Sequence, residues 1–133
     1  SPVTTAGGGT NWKQVSCGFF FTTAIKTNGT LWCWGNDPYG QLGDGTTVNK
    51  SSPVTTAGGG TNWKQVSCGS YHVSAIKTDG TLWGWASNGS GSLGDNTTGY
   101  KSSPVTTAVG GTNWKQVACG WDITIALSEA DGW

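Results

Sequence analysis

The phrase Ser-Pro-Val-Thr-Thr-Ala begins at Ser1, Ser52 and Ser103, and Trp-Lys-Gln-Val begins at Trp12, Trp63 and Trp114, each at an interval of 51 residues without slippage. A fixed period of this size marks one supersecondary unit copied in tandem. Each copy buries its apolar surface against the next. The frame divides the chain into repeats 1–51 and 52–102 and a partial third repeat, 103–133. Repeat scaffolds host many unrelated functions, so the period speaks for the fold before it speaks for the activity.

Only 11% of the residues are charged, with seven basic and seven acidic side chains, against roughly a quarter in an average soluble domain. No basic stripe is available to neutralise phosphates, which argues against a nucleic-acid partner. No apolar run or basic amphipathic helix points to a membrane. The chain contains no Met and shows no signal peptide, and it reads as a processed product or a fragment.

Three cysteines occupy one repeat position, Cys17, Cys68 and Cys119, while the fourth, Cys33, has Gly84 as its counterpart. Equivalent positions on successive repeats lie too far apart for a bridge that needs Cα atoms within about 7 Å. These cysteines read as small buried hydrophobes, and no Cys-x-x-Cys spacing supports a metal. No cofactor is implied.

Within one copy, Lys13–Cys17 and Thr22–Lys26 read as short strands. Asn28-Gly29 then precedes Leu31-Trp32-Cys33-Trp34, and an Asn-Gly pair between short strands predicts a type I′ hairpin turn. Asp79-Gly80 and Asp131-Gly132 hold the corresponding places in the later copies. A glycine-rich stretch follows, and a fourth strand is expected near Pro53, on an outer edge where a missing N–H is tolerated. No segment has helical periodicity. The chain is therefore all-β: β-propeller blades of four antiparallel strands, forming a partial propeller. A β-sandwich is the runner-up.

The phrase Trp34-Gly35-Asn36-Asp37-Pro38-Tyr39-Gly40-Gln41-Leu42-Gly43, with the Asn-Gly and Asp-Gly hairpins, resembles the repeat of the regulator-of-chromosome-condensation family. The second copy departs from it at Ala86, Ser90 and Ser92. The resemblance implies a seven-bladed propeller of about 360 residues at this period, used as a rigid platform for protein contacts. It does not carry over the nucleotide-exchange activity of the eponymous member, because the matching residues are scaffold.

Copies one and two agree at 35 of 51 positions, including all of the first 18, and then diverge in three blocks. Positions free to differ are expected in loops, where scaffolds carry recognition. The candidate partner-binding residues are Phe19, Phe20, Phe21, Asp37, Tyr39, Ser70, Tyr71, His72, Asn88, Tyr100, Trp121 and Asp122. Aromatic residues dominate binding hot spots, although Phe19–Phe21 could equally pack between blades. Trp32/Trp34 and Trp83/Trp85 alternate along their strands and read as inter-blade packing. Asp44 and Asp95 read as turn caps, with a calcium site as the alternative.

No catalytic constellation is visible, so the expected function is a non-enzymatic protein-binding or structural module. The alternative is a glycan-active enzyme or sugar-binding propeller. Low charge and abundant Thr, Gly, Ser and Asn favour an extracellular or virion-surface setting. Two and a half blades should leave the Trp32/Trp34 and Trp83/Trp85 faces open to water. The chain is then part of a longer propeller or an oligomer whose neighbouring blades cover those faces.

Overall fold

The structure is a computed structural model that describes residues 1–129. It contains ten strands: β1 Trp12–Cys17, β2 Phe21–Lys26, β3 Leu31–Gly35, β4 Lys50–Thr55, β5 Trp63–Cys68, β6 His72–Lys77, β7 Leu82–Ala86, β8 Lys101–Thr106, β9 Trp114–Cys119 and β10 Thr124–Ser128. They form two four-stranded meanders, β1-β2-β3-β4 and β5-β6-β7-β8, and a two-stranded sheet of β9 and β10. All pairs are antiparallel. These are two propeller blades and the inner half of a third. Each four-stranded sheet crosses the boundary at which the sequence phrase restarts, since β4 pairs with β3 through Trp32↔Thr55 and Cys33↔Val54, and β8 with β7 through Trp83↔Thr106 and Gly84↔Val105. Pro53 falls within the register shift of that outer edge strand, where no ladder bond is required of it.

The hairpins depart from the type I′ expectation. The Lys26 N–H bonds to the Thr30 carbonyl, and the Gly29 N–H returns to Lys26. Gly29 has φ 83° and Gly80 φ 83°, while neither Asn28 nor Asp79 has a positive φ. This is a three-residue loop with a left-handed glycine at its end. The Asn28 side-chain oxygen instead accepts from the Thr30 N–H and hydroxyl, at 3.1 and 2.6 Å, and Asp79 does the same with Thr81. A short polar side chain that bonds two residues ahead removes the need for a second left-handed residue. Gly29 cannot be replaced cheaply, because a Cβ there would run into the Thr61 carbonyl of the next blade. Asp131-Gly132 lies outside the described residues.

The inner strands are joined from blade to blade by the shared phrase. Gln14 Oε1 accepts the Val66 N–H at 2.7 Å and Ser16 Oγ accepts the Cys68 N–H at 3.1 Å. One period later, Gln65 accepts from Val117 at 2.7 Å and Ser67 from Cys119 at 3.0 Å. Backbone bonds from Trp63 N–H to Gly29 and from Trp114 N–H to Gly80 close the outer end of each junction.

Between blades 1 and 2 lies the main core, in which Ile25, Leu31, Cys33, Leu42, Val73 and Trp85 are 0–1% exposed. Blade 1 covers Trp85, contrary to expectation, and buries it completely, while Trp83 is half-buried, as are Trp32 and Trp34. Trp85 donates its indole N–H to the Gln41 carbonyl at 2.9 Å. Lys77 Nζ sits between the Trp63 and Trp83 rings, 4.8 and 4.5 Å from their centroids. The cysteines are free. Cys33 is buried as expected, but Cys17 is exposed because β1 has no strand before it among the described residues.

The loop between β3 and β4 turns about Asp37, and that between β7 and β8 about Asn88. Asp37 Oδ1 accepts the Leu42 N–H and Asn88 Oδ1 the Leu93 N–H, at 3.0 and 3.1 Å. The Asn88 amide nitrogen also donates to Asp95, to the Thr97 carbonyl and to Gly99. Asp37 cannot donate when ionised, and its Oδ2 is buried without a partner. Burial pushes the Asp37 carboxyl up to about 6, helped by the nearby Asp44 charge and opposed by the Leu42 N–H. Asp44 and Asp95 cap their turns through Thr46 and Thr97 and pair with Lys50 and Lys101 at 3.1 and 3.3 Å.

Two outcomes follow from these contacts. Gln65→Ala strands the Val117 N–H and should lower unfolding stability by about 1–2 kcal/mol, with a matching drop in the urea midpoint. Asp37→Asn should stabilise the protein. Because the Asp37 carboxyl is raised in the folded state, its favourable contribution is complete below its ordinary value near 3.8 and is lost as the pH rises through about 6. The substitution should therefore add on the order of 2 kcal/mol at pH 7 and little at pH 4. Urea titrations at the two pH values measure both.

Candidate functional site

The divergent residues after the shared phrase fall in three short turns, 18–21, 69–72 and 120–123, which stand side by side at one end of the inner strands. They are tied by backbone bonds, Phe19 N–H to the Ser70 carbonyl at 2.9 Å and Ser70 N–H to the Trp121 carbonyl at 3.0 Å. Gly18 and Gly69 make that approach possible, since a Cβ on either would press on a carbonyl of the following turn, Gly69 or Gly120, at 2.6 and 2.5 Å.

The first turn exposes two residues and buries the third, the second exposes Tyr71 over a buried Ser70 and His72, and the third exposes all three. Phe19, Ser70 and Trp121 hold the first place, Phe20, Tyr71 and Asp122 the second, and Phe21, His72 and Ile123 the third. Phe19 touches three rings edge-on: Phe20 at 6.4 Å, Tyr71 at 5.5 Å and Trp121 at 5.2 Å. Tyr71 continues the row to Tyr39 at 5.6 Å. Five aromatic residues thus make one surface across all three blades. Phe20 is 76% and Trp121 72% exposed, Tyr39 44% and Phe19 37%. Phe20 is held at φ 65°, a backbone conformation that bulky residues rarely adopt.

Five of the twelve sequence candidates are buried and are not available to a partner in this structure: Phe21, Asp37, Ser70, His72 and Asn88. The third turn position opens the next strand, so Phe21 pairs with Gly35 and His72 with Ala86. Their rings fill the space left by the missing Cβ of Gly18 and Gly69. His72 bonds Thr124 at 3.0 Å, and burial keeps its imidazole below the ordinary value, hence neutral at pH 7. Ser70 supports the surface from beneath, its hydroxyl donating to the Trp121 carbonyl at 2.7 Å. Asp37 and Asn88 organise the β3–β4 and β7–β8 loops. Tyr100 is 56% exposed but takes no part in the row of ring contacts. Asp122 is exposed beside Trp121.

The surface offers large, rigid apolar area, edge-to-face rings and one carboxylate, Asp122. That is chemistry for contact. No group of three His, Cys, Asp or Glu among the described residues could hold a metal. No helix among them is long and apolar enough to cross a membrane.

The regulator of chromosome condensation (RCC1) repeat matches residues 28–76 and 79–127, and a second model of that repeat matches 12–41 and 63–92. The chain is 38% identical over 119 residues to the ultraviolet-B receptor UVR8 of Arabidopsis thaliana, covering 87% of this chain and 27% of the receptor. It is 30% identical over 120 residues to the human E3 ubiquitin-protein ligase HERC2, of which it covers 2%. Among solved structures it superposes on human WBSCR16 with a TM-score of 0.76 at 23% identity, over 90% of this chain and 31% of that one. Prp20p of Saccharomyces cerevisiae, described with its binding to Gsp1p and histones, gives a TM-score of 0.76 at 16% identity, over 90% and 32%. The chain thus spans under a third of each of these relatives. With nearly three quarters of its length matched in the repeat's own register, and with the blades to go with it, the chain belongs to the regulator of chromosome condensation (RCC1) repeat family.

Proposed function

We propose that the chain is a non-catalytic protein-binding module whose contact surface is the aromatic row Phe20, Phe19, Trp121, Tyr71 and Tyr39. The observation that carries this is the exposure of Phe20 and Trp121, at 76 and 72%, within a cluster that the shared frame assembles from three blades. Contiguous exposed aromatic surface is costly in water and is characteristic of interfaces. Scattered single aromatics would carry no such meaning. The equal numbers of basic and acidic residues favour a protein over a nucleic acid as partner.

The relatives support a binding role in general terms, through a protein described with its partners Gsp1p and histones. The ligase name belongs to a protein of which this chain covers 2%, so no ligase activity is brought over. No relative named above speaks for an extracellular or virion-surface setting or for glycan chemistry. The expected setting rests on composition alone.

Affinity capture with wild type and with Phe20→Ala/Tyr71→Ala/Trp121→Ala tests the proposal. Proteins retained by wild type should fall at least ten-fold with the triple variant, equivalent to about 1.4 kcal/mol, while Tyr100→Ala retains them. The melting temperature should fall by only a few degrees, because Phe20 and Trp121 are largely exposed and Tyr71 is half-buried, outside the core. Equal retention by the triple variant would remove this surface from the function.

A further inference from the structure

The loops β3–β4 and β7–β8 are built on one plan and differ at the residue about which they turn, Asp37 in the first and Asn88 in the second. Both residues are buried, at 0 and 1% exposure. Both give their Oδ1 to the amide five residues ahead, the Leu42 N–H at 3.0 Å and the Leu93 N–H at 3.1 Å. The rest of the frame repeats as well. Thr46 and Thr97 each donate a hydroxyl to the aspartate two residues before, at 2.7 Å in both loops. Lys50 and Lys101 reach the carbonyls of Val48 and Gly99 at 3.0 Å. Asp37 Oδ2 therefore stands where Asn88 carries its amide nitrogen.

In the second loop that nitrogen meets four oxygens: Asp95 Oδ1 at 3.1 Å, the Thr97 carbonyl at 2.9 Å, Thr97 Oγ1 at 3.1 Å and the Gly99 carbonyl at 3.2 Å. The corresponding oxygens of the first loop belong to Asp44, Thr46 and Val48. There the group that faces them is a fifth oxygen, buried without a hydrogen-bond partner. The single Thr46 hydroxyl proton is given to Asp44 Oδ1. Lys50 Nζ approaches Asp44 Oδ2, Thr46 Oγ1 and the Val48 carbonyl at 3.1, 3.3 and 3.0 Å. Lys101 holds the same place in the second loop alongside the Asn88 amide. The lysine thus leaves the side of these oxygens that faces Asp37 unanswered.

Converging oxygens with no hydrogen between them call for positive charge, since a buried carboxylate is costly unless something answers it. Two carboxylates, two carbonyls and a hydroxyl are hard oxygen donors. Calcium accepts such donors in irregular arrangements, whereas magnesium demands a near-ideal octahedron. No thiolate or imidazole takes part, which disfavours zinc and copper. The cluster has fewer than three acidic, thiol or imidazole groups, in keeping with the described residues as a whole, and backbone and hydroxyl oxygens complete it. Residues 45–49 are exposed, so an ion reaches the cluster from solvent. Lys50 offsets part of the carboxylate charge, which sets the affinity at the weak end of calcium sites, about 10⁻⁴–10⁻³ M.

We propose that the β3–β4 loop is a calcium site, formed by Asp37 Oδ2, Asp44 Oδ1, the Thr46 carbonyl and hydroxyl and the Val48 carbonyl, and that the β7–β8 loop replaces the ion by the Asn88 amide group. One difference between the repeats thus exchanges an internal hydrogen-bond donor for a bound cation. Both loops lie within four-stranded blades. The site does not depend on the function proposed for the aromatic surface.

Calcium chloride titrated into the protein at neutral pH, followed by calorimetry, should bind saturably at one site, and a chelator should reverse it. Asp37→Asn supplies the missing donor and should weaken binding at least ten-fold in a protein that stays folded. The stability that this variant gains at pH 7 should shrink when calcium is added, because only the wild type then gains from the ion. Asn88→Asp gives the second loop the same five oxygens and should raise the stoichiometry from one ion to two. Amide chemical-shift changes should concentrate at Leu42, Thr46 and Val48. Absence of saturable binding below about 10 mM, ten-fold above the weakest calcium modules, would overturn the proposal and leave a proton as the group that answers Asp37. Equal affinity of wild type and Asp37→Asn, a folded Asn88→Asp variant that still binds one ion, or shifts confined to the exposed Asp122 would overturn it too.

Discussion

The blades are held in order by a side chain on one inner strand accepting a backbone N–H of the next. Gln14 and Ser16 do this for Val66 and Cys68, and Gln65 and Ser67 for Val117 and Cys119. An inner strand near a propeller axis has a neighbouring sheet on one flank and another blade on the other. Its unpaired amides would carry a desolvation penalty without partners. The side-chain acceptors remove that penalty and set the axial offset between blades. The Trp85 socket, the core around Leu42 and the row of turns at the strand ends all follow from that offset. The third copy changes the pattern, because Ala118 stands where Ser16 and Ser67 stood.

A junction this regular makes position in the repeat equivalent to position in space. Phe19, Ser70 and Trp121 are separated by 51 residues each and yet occupy consecutive, hydrogen-bonded turns. The frame can therefore present any three residues there, and of the residues it exposes at the first two places of the turns, Phe19, Phe20, Tyr71, Trp121 and Asp122, four are aromatic. The rings meet edge-on at 5.2–6.4 Å, an arrangement that their quadrupoles favour. The exposed aromatic surface is held together by its own ring contacts and by the Ser70 hydroxyl beneath Trp121.

Divergence between copies located the variable turns but did not separate outward from inward residues. Phe21 and His72 differ as freely as Phe20 and Tyr71, yet they are 3 and 1% exposed. The reason is that the turn ends one residue earlier than its divergence does. The third residue opens a strand, and its ring closes over a glycine. That glycine, invariant at Gly18, Gly69 and Gly120, was the available signal. Asp37 and Asn88 misled in another way. A pair of different polar residues at one repeat position looked like a variable surface, but both perform one buried task, accepting an amide from five residues ahead. The hairpin type was missed because Asn28 and Asp79 use their side chains, rather than left-handed backbone, to close the turn.

The period of 51 residues determined the unit, the all-β class and the tandem architecture, because a copied sequence must make the same turns and local pairings each time. Burial was decided by the tertiary structure. The identical strands β1 and β5 place the same valine at 64% exposure as Val15 and at 5% as Val66. Their tryptophans differ likewise, Trp12 half-buried and Trp63 closed beneath blade 1. Local sequence specifies which face of a strand a side chain occupies. Only a neighbouring blade can take that face out of water, and among the described residues blade 1 does so for Trp63 and Val66.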